Sequence, residues 1–144
     1  MLQISQNLQS IYRSYKTIPL VLSLAVVIDY ALTFYLAGGI ERILKYEYSP
    51  TLVYAVEHNI VIPYLMFTVF FYYAAGYIVL KYLWDSGIYY VGVYIILLMS
   101  ITHVLGGLSW YVLSAWYSNT VLALSLTSVV VTIAVFGYEI LRQI

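Results

Sequence analysis

From residue 87 to residue 138 the chain carries no Asp, Glu, Lys or Arg. A water-facing domain usually has roughly 25% charged residues, spread along its length; here the figure is 8%, with 64% hydrophobic residues and a mean hydropathy of +0.92. A helix needs about 20 mainly apolar residues to cross a bilayer. The uncharged run is too long for one crossing, so it must turn back. Gly106-Gly107 and SWYVLSAWYSNT mark the expected turn, with Trp110, Tyr111, Trp116 and Tyr117 suited to an aromatic interface belt. The alternative is one long tilted helix reaching Trp116.

Four runs reach spanning length, at about 18–38, 61–83, 88–108 and 120–141. They predict an all-α, polytopic membrane four-helix bundle, a single integral membrane domain over 1–144. Residues 2–16 place Ile4, Leu8, Ile11, Tyr12 and Tyr15 at helical spacing among polar residues, which predicts a helix lying in the membrane interface. The first apolar run is expected to be retained, because Asp29 interrupts it and Tyr35-Leu36-Ala37 is a poor cleavage site. In the long connection after it, Ser49-Pro50 reads as an N-cap followed by proline at the first helical position. A short helix is predicted at 50–58, a break at 59–62, and the second span from about Pro63. Small residues at Ala74, Ala75, Gly76 and Gly92 predict close helix approach. Arg13, Lys16, Lys81 and Arg142 fall on the side of the termini, against Arg42 and Lys45 on the other; this predicts cytoplasmic termini in a cell membrane. The 18 tyrosines, with the Ile/Val/Leu bias, hint at a thermophilic source.

Several chemistries are excluded or unsupported. There is no cysteine, so no disulfide, thiolate site or Cys nucleophile exists. Net charge is zero and no basic tract suggests nucleic acid. Nucleotide-binding and serine-hydrolase motifs are absent. His58, His103 and a carboxylate lack any fixed ligand spacing, so neither metal nor haem is expected, and no cofactor is implied.

The informative residues are the polar ones at membrane depth. Asp29 near the middle of the first span costs about 2.5–3.5 kcal/mol on insertion scales. It should therefore face protein, with Thr33 and tyrosine hydroxyls as candidate partners. Glu57, His58 and Asn59 sit at a helix break, where freed carbonyls can meet ions or substrates. His103 lies one or two turns from the end of the third span, on the same side. Glu41 and Glu47 are acidic residues of the outer connection, whereas Asp85 and Glu139 fall on the opposite side with Lys81 and Arg142. Ser125, Ser128 and Thr132 form a stripe expected to bond across helices.

The segment DYALTFYLAGGIE resembles the first helix of a family of small uncharacterised prokaryotic multi-helix membrane proteins, which reads D-x3-T, a glycine pair, then E. Asp29, Thr33, Gly38, Gly39 and Glu41 match. The Asn-Pro that follows in the family is replaced by the later Ser49-Pro50. The resemblance implies a compact multi-helix membrane fold and no particular activity.

Three function classes follow. The first is transport or ion handling, with Asp29 as the embedded titratable group and Glu57/His58 at the outer mouth. The second is a structural or accessory subunit, as a homo-oligomer or with a membrane-complex partner. The third is an intramembrane enzyme acting on a lipid-like substrate, with Glu57, His58, His103 and Asp29 in a cavity opening outward; it requires Asp29 and His103 to come within reach of one atom.

Overall fold

The computed structural model describes residues 11–143. Those residues form helices and turns with no strand. The helices are α1 (Thr17–Leu36), α2 (Ile40–Tyr46), α3 (Pro50–Glu57), α4 (Val61–Tyr82), α5 (Tyr89–Val112) and α6 (Ala115–Gln143). Of these, α1, α4, α5 and α6 are long and apolar enough to cross a membrane. The interfacial helix expected over 2–16 falls mostly outside the described residues; within them Ile11 and Tyr12 are helical and a turn leads into α1.

Helices α1 and α5 form the central pair, α4 packs beside α1, and α6 packs on α5. Glycines set the approach. A Cβ on Gly107 would sit 2.8 Å from the Leu32 Cβ and 2.9 Å from the Asp29 carbonyl oxygen. One on Gly76 would sit 3.1 Å from Pro19. The missing side chains let backbones touch where lipid offers no hydrophobic drive. The expected turn at Gly106-Gly107 is thus corrected: this pair lies inside α5, at its crossing with α1.

The chain turns later, at Leu113 and Ser114, with Leu113 left-handed at φ 49°. The third span therefore extends past residue 108, close to the alternative of one long helix. Trp110 is buried, while Tyr111 and Trp116 stay exposed and suit a belt. The Tyr117 hydroxyl donates to the Leu105 carbonyl at 3.0 Å, tying α6 back to α5.

Two apolar clusters hold the ends. Ile18, Leu22 and Val26 of α1 pack with Leu80, Leu83, Tyr89, Val93 and Ile96 near the α4–α5 turn. At the other end Ala37, Ile43, Leu52, Val56 and Trp110 pack the short helices α2 and α3 onto the long ones. Gly38 and Gly39, at φ 72° and 154°, make the reversal from α1 into α2. Ser49 caps α3 as expected, accepting from the Leu52 N–H, with Pro50 at the first helical position. Helix α4 starts at Val61, where the 61–83 run begins and two residues before the start expected at Pro63. Pro63 sits in its first turn, where an N–H has no intrahelical partner to lose. Among the described residues, Ser128 and Thr132 of the α6 stripe bond within their own helix and not across helices as expected: Ser128 donates to the Leu124 carbonyl at 2.8 Å and Thr132 to the Ser128 carbonyl at 2.7 Å. A helical hydroxyl that reaches its own i−4 carbonyl needs no neighbour.

Candidate functional site

Along α1, Asp29 falls between the two apolar clusters. At 1.5 Å per residue it lies about 10 Å below the α2 end of α1, and His103 about 14 Å below the end of α5. The Gly107 crossing brings them together: the His103 Nδ1–H donates to the Asp29 Oδ2 at 2.8 Å. Both side chains are about one-fifth exposed, at 21% for His103 and 20% for Asp29. The carboxylate is thus half-buried, not enclosed. Its partner is the imidazole, where sequence reasoning offered Thr33 and tyrosine hydroxyls. The Tyr72 ring meets the His103 ring edge-on, 4.9 Å away.

The pair faces a cavity of about 1030 Å³ bounded by all four long helices and by the segment joining α2 to α3. Helix α4 lines it with Tyr64, Phe67, Thr68, Phe71 and Tyr72, one face at helical spacing. Helix α6 supplies Ser118, Val121, Leu122, Ser125 and Val129. Thr33 also lines it. The volume is at the upper end of small-molecule sites, which run about 300–1,000 Å³.

Above the pair runs a chain of hydroxyls. The Tyr30 hydroxyl donates to the Tyr64 hydroxyl at 3.2 Å. Tyr64 meets the Thr51 hydroxyl at 3.0 Å, and Thr51 meets Ser49 at 3.1 Å. The Ser49 backbone N–H donates to Glu47 at 2.8 Å. Glu47 lines the cavity roof with Arg42. Burial pushes its carboxyl above the usual range, partly offset by the Ser49 N–H.

The other predicted residues lie elsewhere. Glu57, His58 and Asn59 are exposed at the end of α3 and do not line the cavity. The His58 Nδ1–H donates to the Tyr54 carbonyl at 2.9 Å, and its ring stacks on Tyr54 with centroids 3.9 Å apart. Asn59 holds a left-handed turn at φ 56°. Glu41 is exposed in the first turn of α2, a favourable place for a negative charge. So the polar residues toward this end of the bundle divide: Asp29, Thr33, His103 and Glu47 share the cavity, and the α3 terminus does not. Among the described residues, no three His, Cys, Asp or Glu side chains gather to hold a metal.

Sequence reasoning missed Tyr64, Thr68 and Tyr72. Their spacing was the available signal, since they put every hydroxyl of that stretch of α4 except Tyr73 on one face. Comparison with protein-family models, with curated proteins and with solved structures finds no match to this chain.

Proposed function

We propose that the chain is a four-span integral membrane protein, with cytoplasmic termini, that moves a small substrate coupled to proton exchange at Asp29 and His103. One observation carries this reading: a carboxylate–imidazole hydrogen bond of 2.8 Å facing a cavity of about 1030 Å³ at membrane depth. Ionisable groups within membrane-spanning helices mark substrate and proton pathways by default. With Nδ1 engaged by Asp29, the Nε2 of neutral His103 is free to accept a proton, and the carboxylate then stabilises the imidazolium. The hydroxyls of Ser49, Thr51, Tyr64 and Tyr30 supply proton-carrying groups from the roof down toward that level. Glu57 and His58 are not part of this mouth; Glu47 and Arg42 take that place.

The test is proton flux into liposomes holding the purified protein, read with a trapped pH-sensitive dye under an imposed gradient. Asp29→Asn keeps the shape of the side chain and removes its charge. It is expected to reduce flux to that of protein-free liposomes while the circular dichroism spectrum is kept. Flux equal to wild type in a folded Asp29→Asn protein would refute the reading.

Acid–base catalysis on a lipid-like substrate is the second reading, favoured by the same contact. Such chemistry needs two groups within hydrogen-bond reach of one substrate atom, and the contact sets two such groups side by side. Chemical change of a cavity-bound lipid, lost in both Asp29→Asn and His103→Ala, would select it over transport.

A further inference from the structure

The cavity has two kinds of wall, and their placement identifies a ligand class. Phe67 and Phe71 of α4 form one apolar side, although they are 67% and 54% exposed. Val121, Leu122 and Val129 of α6 form the other. The two helices approach each other at Tyr82 and Phe136, whose ring centroids are 5.2 Å apart near the α4–α5 turn. Farther along, residues of both helices line the cavity. Phe rings that border a cavity and are still more than half exposed stand at a side opening, and at this depth a side opening faces lipid tails.

The polar groups sit deeper, on the central pair. Asp29 Oδ2 and His103 Nδ1 are used by each other. The structure gives Asp29 Oδ1 and His103 Nε2 no hydrogen-bond partner among the described residues. With Asp29 ionised and His103 neutral, both free atoms are acceptors. Around them stand the rings of Tyr30 and Tyr72. A site with free acceptors at its floor, aromatic faces beside them and an apolar slot to the side selects a hydrogen-bond donor carrying a tail.

From this we infer that the cavity binds a membrane-dissolved, single-tailed amphiphile with an amine or hydroxyl head. It enters sideways between α4 and α6. Its head meets Asp29 and His103, and its tail lies between Phe67/Phe71 and Val121/Leu122/Val129. The inference rests on the reading of this cavity as the working site.

Trp110 lines the same cavity and can report occupancy. Trp84→Phe with Trp116→Phe leaves Trp110 as the one tryptophan. The protein in lipid nanodiscs would be titrated with a hexadecyl amine and a hexadecyl alcohol brominated along the chain, since bromine quenches indole on contact. Bromoethylamine (the head without the tail) and the brominated hexadecyl carboxylic acid are the comparison probes. The expected result is saturable quenching by the long amine or alcohol, none by bromoethylamine, and binding of the acid weaker by about tenfold or more, as loss of a hydrogen bond to a charged group implies. Ser125→Phe, an exposed α6 position on the cavity wall, should abolish the saturable phase. If that variant does not fold, the comparison of head alone with head plus tail on the unblocked protein still decides. Quenching that rises linearly with probe, or an acid that binds as tightly as the amine, overturns the inference. Saturable binding with Asp29-independent proton flux would sustain it while refuting the proton-linked function. The reverse outcome would refute the ligand class alone.

Discussion

Replacing Gly107 with alanine tests whether the α1–α5 crossing builds the site. The new Cβ would lie 2.8 Å from the Leu32 Cβ, 2.9 Å from the Asp29 carbonyl oxygen and 3.1 Å from the Asp29 Cα. Two of these are backbone atoms, so no side-chain rotation relieves the clash. Carbon atoms settle at roughly 3.5 Å or more, so α5 must retreat by about 0.7 Å. If that shift carries through, the Asp29–His103 contact opens from 2.8 Å to about 3.5 Å, past the range of an N–H···O bond. Overpacking costs about 1–3 kcal/mol, and the weakened hydrogen bond about 1 kcal/mol more. Alanine's better helix propensity returns about 1 kcal/mol. The net expectation is a loss of about 1–3 kcal/mol.

Gly106→Ala is the internal comparison. Its Cβ would lie 3.5 Å and 3.6 Å from the Asp29 carboxylate oxygens, an ordinary contact, so stability should hold or rise. Thermal unfolding in detergent measures the first effect. The second is read from the Nδ1 proton resonance of histidine-labelled protein, which is simple to assign because the chain has 2 histidines. Equal melting temperatures and an unchanged His103 signal in the two variants would refute the assignment of Gly107 as the closest point.

Three further outcomes are expected. Leu113 is left-handed at φ 49°, a conformation that costs a side-chain-bearing residue roughly 1–2 kcal/mol, so Leu113→Gly should raise the melting temperature measured by thermal unfolding in detergent. Ser49→Ala removes the cap of α3 and a member of the hydroxyl chain; it should cost about 1 kcal/mol in unfolding experiments and slow proton flux. Glu47 has a raised carboxyl, so in the pH window above the ordinary value of 4.5 the folded state binds more protons than the unfolded one. Stability is then highest below that value and falls as pH rises through the folded pKa; Glu47→Gln should flatten this part of the melting-temperature profile.

Asp29 was legible as a residue that must face protein, because an isolated carboxylate in an apolar helix has few tolerable surroundings. Its partner was not, since pairing with His103 depends on how two distant helices cross. The glycines that set the crossing were misread as a turn, because both uses exploit the same absent Cβ. The real turn falls inside the expected 109–120 segment, but no residue type marks its exact place, for Leu113 is an unfavourable residue in its conformation. Ser49-Pro50 was read correctly, as capping is decided within one turn of chain. Glu57, His58 and Asn59 drew attention as polar residues at a break. The buried side of α3, however, is Leu52, Ala55 and Val56, which leaves its polar end facing outward.

The uncharged run from residue 87 to 138 also bears on how the protein is made. Helices α5 and α6 are joined by Leu113 and Ser114 alone, and neither helix nor joint carries a formal charge until Glu139. Moving a charge through hydrocarbon is the main obstacle to translocating a loop. This hairpin presents none, so its two helices can leave the insertion machinery together as a preformed unit. Its orientation then rests on the flanking cations, Lys81 before it and Arg142 at its close.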